Sequence, residues 1–183
     1  MVLLESTKVP IGTPAKDFSL TGTDDKQYSL ADFKGAKALV VIFMCNHCPY
    51  VRAQWSRLTA LQEKYRDAGV RFVGINSNFN PDYPEDSYEK MKEYFVQYKM
   101  NFPYLQDPAQ EVARLYGAKC TPDIFVYDAE QKLAYHGRID DNWKDAEAAK
   151  KHELDEALVA LVKGETPDLD QKPSMGCSIK WRD

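Results

Sequence analysis

Ala38-Leu39-Val40-Val41-Ile42-Phe43 is an unbroken apolar run rich in β-branched residues, and it restricts the fold more than any other stretch of the chain. A strand with one wet face alternates apolar and polar residues. A strand that is apolar at every position has to be covered on both faces, as the central strand of a mostly parallel sheet is. Beyond it come Met44-Cys45-Asn46-His47-Cys48-Pro49 and then Val51, Trp55, Leu58, Leu61 and Tyr65, whose spacing of four, three, three and four residues puts them on one helical face. Pro49 suits the first position of that helix, where its missing N–H costs nothing, and Gly69 suits its end.

The same reading extends along the chain. Val70 to Ile75 predicts a second buried strand, and Ser87 can cap a helix with the stripe Tyr88, Met91, Phe95 and Tyr98. A short extended piece is expected over 102–105 and a short helix over 108–116, closed by Gly117. Two strands, 124–127 and 133–136, flank the turn Asp128-Ala129-Glu130-Gln131, and a last helix carries Leu154, Leu158 and Leu161 and stops at Gly164. Asp140, Asp141 and Asn142 read as a helix-capping cluster. Toward the N-terminus, turn residues 21–25 lie between Phe18/Leu20 and Tyr28/Leu30, which predicts a hairpin followed by a turn of helix near Ser29. The expectation is therefore an α/β fold with a mixed central sheet flanked by helices and an N-terminal β-hairpin extension. Residues 1–164 form the domain; residues 165–183, with two prolines and no periodicity, are a tail packed on it or extending from it.

Composition removes several function classes. The net charge is −4 and the pI about 5.5, so the basic stripe that nucleic acid requires is missing. No segment approaches the ~18 apolar residues of a membrane span, and Met1-Val2-Leu3-Leu4 is followed at once by Glu5, unlike a signal peptide. A cytoplasmic setting is expected, and paired thiols there are catalytic or metal-binding more often than structural. A chain of 183 residues can also build its core without staples.

Cys45 and Cys48 fall between a buried strand and a helix start, where α/β sheets place their ligands. A helix N-terminus offers unpaired N–H groups and about half a positive charge. That field stabilises a thiolate, which is both the nucleophile and a good leaving group.

Here the chain resembles the thioredoxin superfamily, and within it the peroxiredoxin-like, AhpC/TSA-type redoxin branch. The resemblance runs from about Gly12 to Gly164 and rests on Gly12-Thr13-Pro14-Ala15-Lys16-Asp17-Phe18, Tyr28-Ser29-Leu30-Ala31-Asp32-Phe33-Lys34-Gly35, the strand into Cys45-Asn46-His47-Cys48-Pro49-Tyr50, and Thr121-Pro122-Asp123-Ile124-Phe125. The tail Pro173-Ser174-Met175-Gly176-Cys177-Ser178-Ile179-Lys180-Trp181 is similar to that of peroxiredoxin-like relatives. The resemblance implies a thioredoxin-like fold and thiol–disulfide exchange with no bound organic cofactor. Electrons would come from a thioredoxin-type protein or from low-molecular-weight thiols.

Two registers of the cysteine motif are open. In the usual pairing Cys45 attacks, Cys48 resolves, and His47 resembles the histidine that steadies the attacking thiolate in strongly oxidising relatives. Counted from the strand end, Cys48 caps the helix and attacks while Cys45 resolves; position relative to the helix favours this register. Thr121-Pro122 resembles the loop that faces the active cysteines with a cis proline and can pair with an extended substrate. Cys120, just before that loop, and Cys177, in the tail, are accessory thiols or inert ones.

A peroxiredoxin would carry Thr or Ser where Cys45 stands and Pro where Val41 stands, so peroxidase activity is a weaker expectation. Metal binding is weaker still. Structural zinc sites pair two close-spaced ligand couples, and only Cys45/Cys48 forms one. A thioredoxin-fold copper chaperone would need a distant histidine, for which His136 and His152 are available.

Overall fold

A computed structural model describes residues 3–182. In chain order the elements are β1 (Leu3–Glu5), β2 (Ser19–Gly22), β3 (Gln27–Ser29), β4 (Ala38–Phe43), α1 (Pro49–Tyr65), β5 (Val70–Asn76), α2 (Tyr88–Gln97), β6 (Tyr104–Gln106), α3 (Glu111–Tyr116), β7 (Cys120–Thr121), β8 (Asp123–Asp128), β9 (Leu133–His136), α4 (Glu153–Lys163) and β10 (Met175–Ser178). Seven strands form one mixed sheet in the order β3-β2-β6-β5-β4-β8-β9. β4 lies in its interior, parallel to β5 and antiparallel to β8.

The apolar run sits where its composition requires. Val40 and Ile42 face one core with Trp55, Leu58, Met91, Leu154 and Leu158, so α1, α2 and α4 cover that side. Leu39, Val41 and Phe43 face a second core with Phe18, Phe33, Val112 and Tyr116, under α3 and the N-terminal section. All six residues of β4 are buried. Removing a Leu, Ile or Phe side chain from water contributes roughly 1.5–3 kcal/mol, which outweighs any preference of the strand for an edge. Trp55 anchors the first core, stacked on Tyr98 at 4.5 Å between ring centroids.

The expected hairpin is β2–β3, and β2 continues the sheet by pairing with β6. Two local expectations need correction, and the tail adds a strand. The short helix begins at Glu111 rather than at 108, because Gln110 takes a left-handed conformation, φ 59°, immediately before it. Asp140 caps no helix: it accepts from the Arg57 guanidinium of α1, and α4 begins only after His152. Residues 165–183, read without periodicity, contain β10. β10 runs antiparallel between β1 and β7 in a separate three-stranded sheet. Among the described residues, no helix is long and apolar enough to cross a membrane.

This topology assembles the site. β7 leads through the cis Thr121–Pro122 peptide into β8, and the first residue of β8, Asp123, pairs with Phe43 at the end of β4. The Thr121 segment is thereby held against the residues that link β4 to α1.

Candidate active site

Cys48 is the N-cap residue of α1: its backbone is extended (φ −71°, ψ 120°), Pro49 follows, and its carbonyl accepts the Arg52 N–H at 3.0 Å. The expected helix start at residue 49 is thus observed. The Cys48 sulfur lies 3.1 Å from the Thr121 carbonyl oxygen and 2.9 Å from the Cys177 sulfur. Cys45 Sγ lies 3.2 Å from Thr121 Oγ1. Cys45, Cys48 and Cys177 therefore converge on one residue of the cis-proline segment. All three are buried.

Electrostatics separates these thiols. The Cys177 and Cys45 thiols, turned toward Cys48, hold its pKa far below the ordinary cysteine value; burial opposes this and the Val51 N–H in the first turn of α1 assists. The Thr121 carbonyl favours the protonated form, but it is one acceptor against these donors and the helix field. Burial pushes Cys45 well up, as does its proton sharing with Cys48 and the nearby charge of Asp86. Cys177 is raised by holding a proton toward Cys48 and by burial. Burial also raises Cys120, whose thiol faces the Pro122 and Ser174 carbonyls at 3.5 and 3.9 Å rather than joining the cluster.

These opposed shifts predict how stability depends on pH. In the unfolded chain every thiol titrates near pH ~8.5. Folded Cys48 is already deprotonated below that value, so unfolding there takes up a proton and stability rises with pH. Folded Cys45, Cys120 and Cys177 keep their protons above it, so unfolding there releases protons and stability falls, more steeply than it rose. Chemical denaturation under excess reductant is expected to place the maximum near pH ~8.5; a stability still climbing well beyond that pH would contradict these shifts.

His47 makes its close polar contact with a carboxylate rather than with a sulfur. Its ring lies against Tyr83, tilted by 32° with centroids 4.6 Å apart, and Nδ1 pairs with the Asp86 carboxylate. Asp86, which sequence reasoning missed, is buried; it also accepts the Asn46 N–H at 2.6 Å and the His47 N–H at 3.3 Å. Asn46 in turn accepts the Tyr104 hydroxyl at 2.9 Å and donates to the Glu85 carbonyl. The loop entering α1 is thus pinned by a carboxylate 40 residues away. No sequence signal marks it, because Pro84-Glu85-Asp86 reads as an ordinary polar turn.

Donor atoms of Cys45, His47 and Asp86 lie within 4.8 Å of one another, close enough to share a cation. Of the two histidines considered for copper, His136 pairs through Nε2 with Asp123 and stacks its ring on Phe125, and His152 is the N-cap of α4.

A mixed sheet with helices on both faces, a Cys-Xaa-Xaa-Cys entering a helix and a facing cis proline together make a thioredoxin-like fold. The chain is 25% identical to a thioredoxin-family thiol:disulfide interchange protein from Chlorobium tepidum TLS, with a TM-score of 0.59 over 71% of this chain and 87% of that one. The family model for the AhpC/TSA family matches residues 11–136, and the chain belongs to that family. It is 42% identical to an uncharacterized conserved protein from Geobacillus kaustophilus, with a TM-score of 0.94 over 100% of this chain and 97% of that one. Among curated relatives, the thiol-disulfide oxidoreductase ResA of Bacillus thuringiensis subsp. konkukian is 26% identical over 126 residues, 69% of this chain and 68% of that protein.

Proposed function

We propose that the protein is a thiol–disulfide oxidoreductase in which the Cys48 thiolate attacks a disulfide, forms a mixed disulfide, and is released by a second protein thiol. One observation carries this reading: the Cys48 sulfur sits at the N-cap of α1, 2.9 Å from the Cys177 sulfur and with the Thr121 segment across from it. The relatives' thiol–disulfide activity supports the reaction class. The helix terminus and the neighbouring thiol protons favour a thiolate near neutral pH, where an ordinary cysteine is protonated. Cys45 stays protonated beside it. Substrates are protein or low-molecular-weight disulfides and thiols, with a thioredoxin-type protein as a natural reductant.

The test is thiolate ultraviolet absorbance of the reduced protein against pH. One thiolate is expected to persist below pH ~6, well under the ordinary cysteine value of ~8.5. It should vanish in Cys48→Ser and remain in Cys45→Ser. Loss of the signal in Cys45→Ser alone would move the attack to Cys45.

The family membership gives a thiol peroxidase as the second reading. Cys45 and Val41 stand where a peroxiredoxin resemblance requires Thr or Ser and Pro, which weighs against it. Peroxide consumption with a thiol reductant decides between the two.

A further inference from the structure

The C-terminal strand is fitted to the active-site segment in detail. Cys177 lies opposite Thr121 and Ser178 opposite Cys120 in the β10–β7 ladder. Gly176 passes so close that a Cβ there would sit 2.0 Å from the Thr121 carbonyl oxygen, so any larger residue would push the strand away. The strand is tied down on either side. Ser174 donates through Oγ to the Gly137 carbonyl at 2.6 Å, and Lys180 donates its N–H to Asn78 Oδ1 at 2.9 Å. Beyond it, the Gln110 side chain bonds the Lys180 carbonyl and the Arg182 N–H. The backbone edge of Thr121, which an extended substrate would pair with, is thus occupied by the chain's own tail, and that tail brings a sulfur to 2.9 Å from Cys48.

We propose that Cys177 is the resolving thiol for the mixed disulfide on Cys48, so that the protein cycles between a Cys48/Cys177 dithiol and a Cys48–Cys177 disulfide that fastens the tail over the site. The inference rests on Cys48 being the attacking sulfur. The Cys48 thiolate attacks an organic disulfide RS–SR′, its S–S bond breaks, R′S⁻ leaves, and Cys48–S–S–R forms. Cys177 then gives up its proton and attacks Cys48 Sγ; RS⁻ leaves and the Cys48–Cys177 bond forms. The Cys48 thiolate and Cys177 thiol together lose two electrons and the one Cys177 proton; of the two thiolates released, one takes that proton and the other takes one from water, giving RSH and R′SH. External dithiol reverses the sequence.

Cys177 suits this step better than Cys45. What chiefly raises the Cys177 thiol is its bond to the Cys48 sulfur, which loses its charge when the mixed disulfide forms, while Lys180 draws the thiol down. Cys45 keeps its burial and the charge of Asp86, both of which hold it protonated.

The test adds one equivalent of 4,4′-dithiodipyridine to the reduced full-length protein, follows thiopyridone release, quenches with acid and maps the disulfides by mass. Wild type is expected to release both thiopyridones and to link the Cys48 and Cys177 peptides. In Cys177→Ser the first release persists, the second slows at least about a hundredfold because an intramolecular step is lost, and the mixed disulfide accumulates on Cys48. A Cys45–Cys48 link as the first wild-type product would overturn the assignment of Cys177 while leaving Cys48 as the attacking sulfur. So would an undiminished second release in the variant. A mixed disulfide accumulating on Cys45 instead would overturn both readings. Mapping the wild type needs no variant to fold.

Discussion

Cys48→Ser is expected to lower the rate of disulfide reduction at least about a thousandfold while leaving the fold intact. Serine is a favoured N-cap residue, so the start of α1 keeps a competent cap and the variant should still fold. The loss is chemical. A hydroxyl in the same place stays protonated at neutral pH and has no general base to activate it, since His47 pairs with Asp86. Removing a covalent nucleophile typically costs several orders of magnitude, about 10⁶ in the best-studied hydrolase. Stopped-flow reduction of a small aromatic disulfide measures the effect. Retention of more than about a tenth of the wild-type rate would mean that another sulfur does the chemistry.

The second large effect is expected from Asp86→Ala and concerns stability. Its carboxylate is buried and accepts from the Asn46 N–H, the His47 N–H and the His47 ring. Truncation strands these donors. Each orphaned buried donor costs about 1–3 kcal/mol. With three donors stranded, Asp86→Ala should lose about 3–5 kcal/mol of unfolding free energy. Asp86→Asn keeps an acceptor oxygen and should lose about half as much, which leaves a measurable variant if the alanine form does not fold. Urea titration of the reduced protein reads both. A loss below about 1 kcal/mol for the alanine variant would mean that water or a shifted loop satisfies the donors.

Much of the site was readable because its signals are local. The buried character of β4, the helix stripe from Val51 to Tyr65 and Pro49 at the helix start follow from residues close together in sequence, and they place Cys48 at the helix mouth without reference to the rest of the chain. The turn of helix after the hairpin is local too: Asp32 accepts the Ser29 N–H at 2.6 Å. Asp86 was not readable, because its role depends on a bond across 40 residues and its own neighbourhood is that of any polar turn. Asp140 misled for the same reason: an acidic cluster looks like a cap until a distant cation, Arg57, claims it.

The tail marks the boundary most clearly. Met175-Gly176-Cys177-Ser178 shows no alternation of apolar and polar residues, since β10 is held on both sides by β1 and β7 and its side chains answer to those partners. Sequence alone determined the layered α/β architecture and the cysteine at a helix N-terminus, because periodicity and capping act over a few residues. Resemblance pointed to the Thr121 segment, but only the tertiary structure showed that Thr121 and Cys177 touch that cysteine and that Asp86 pins the loop just before it. Their contacts close loops of 73, 129 and 40 residues, and over such distances the choice of partner depends on which surfaces the whole fold brings together.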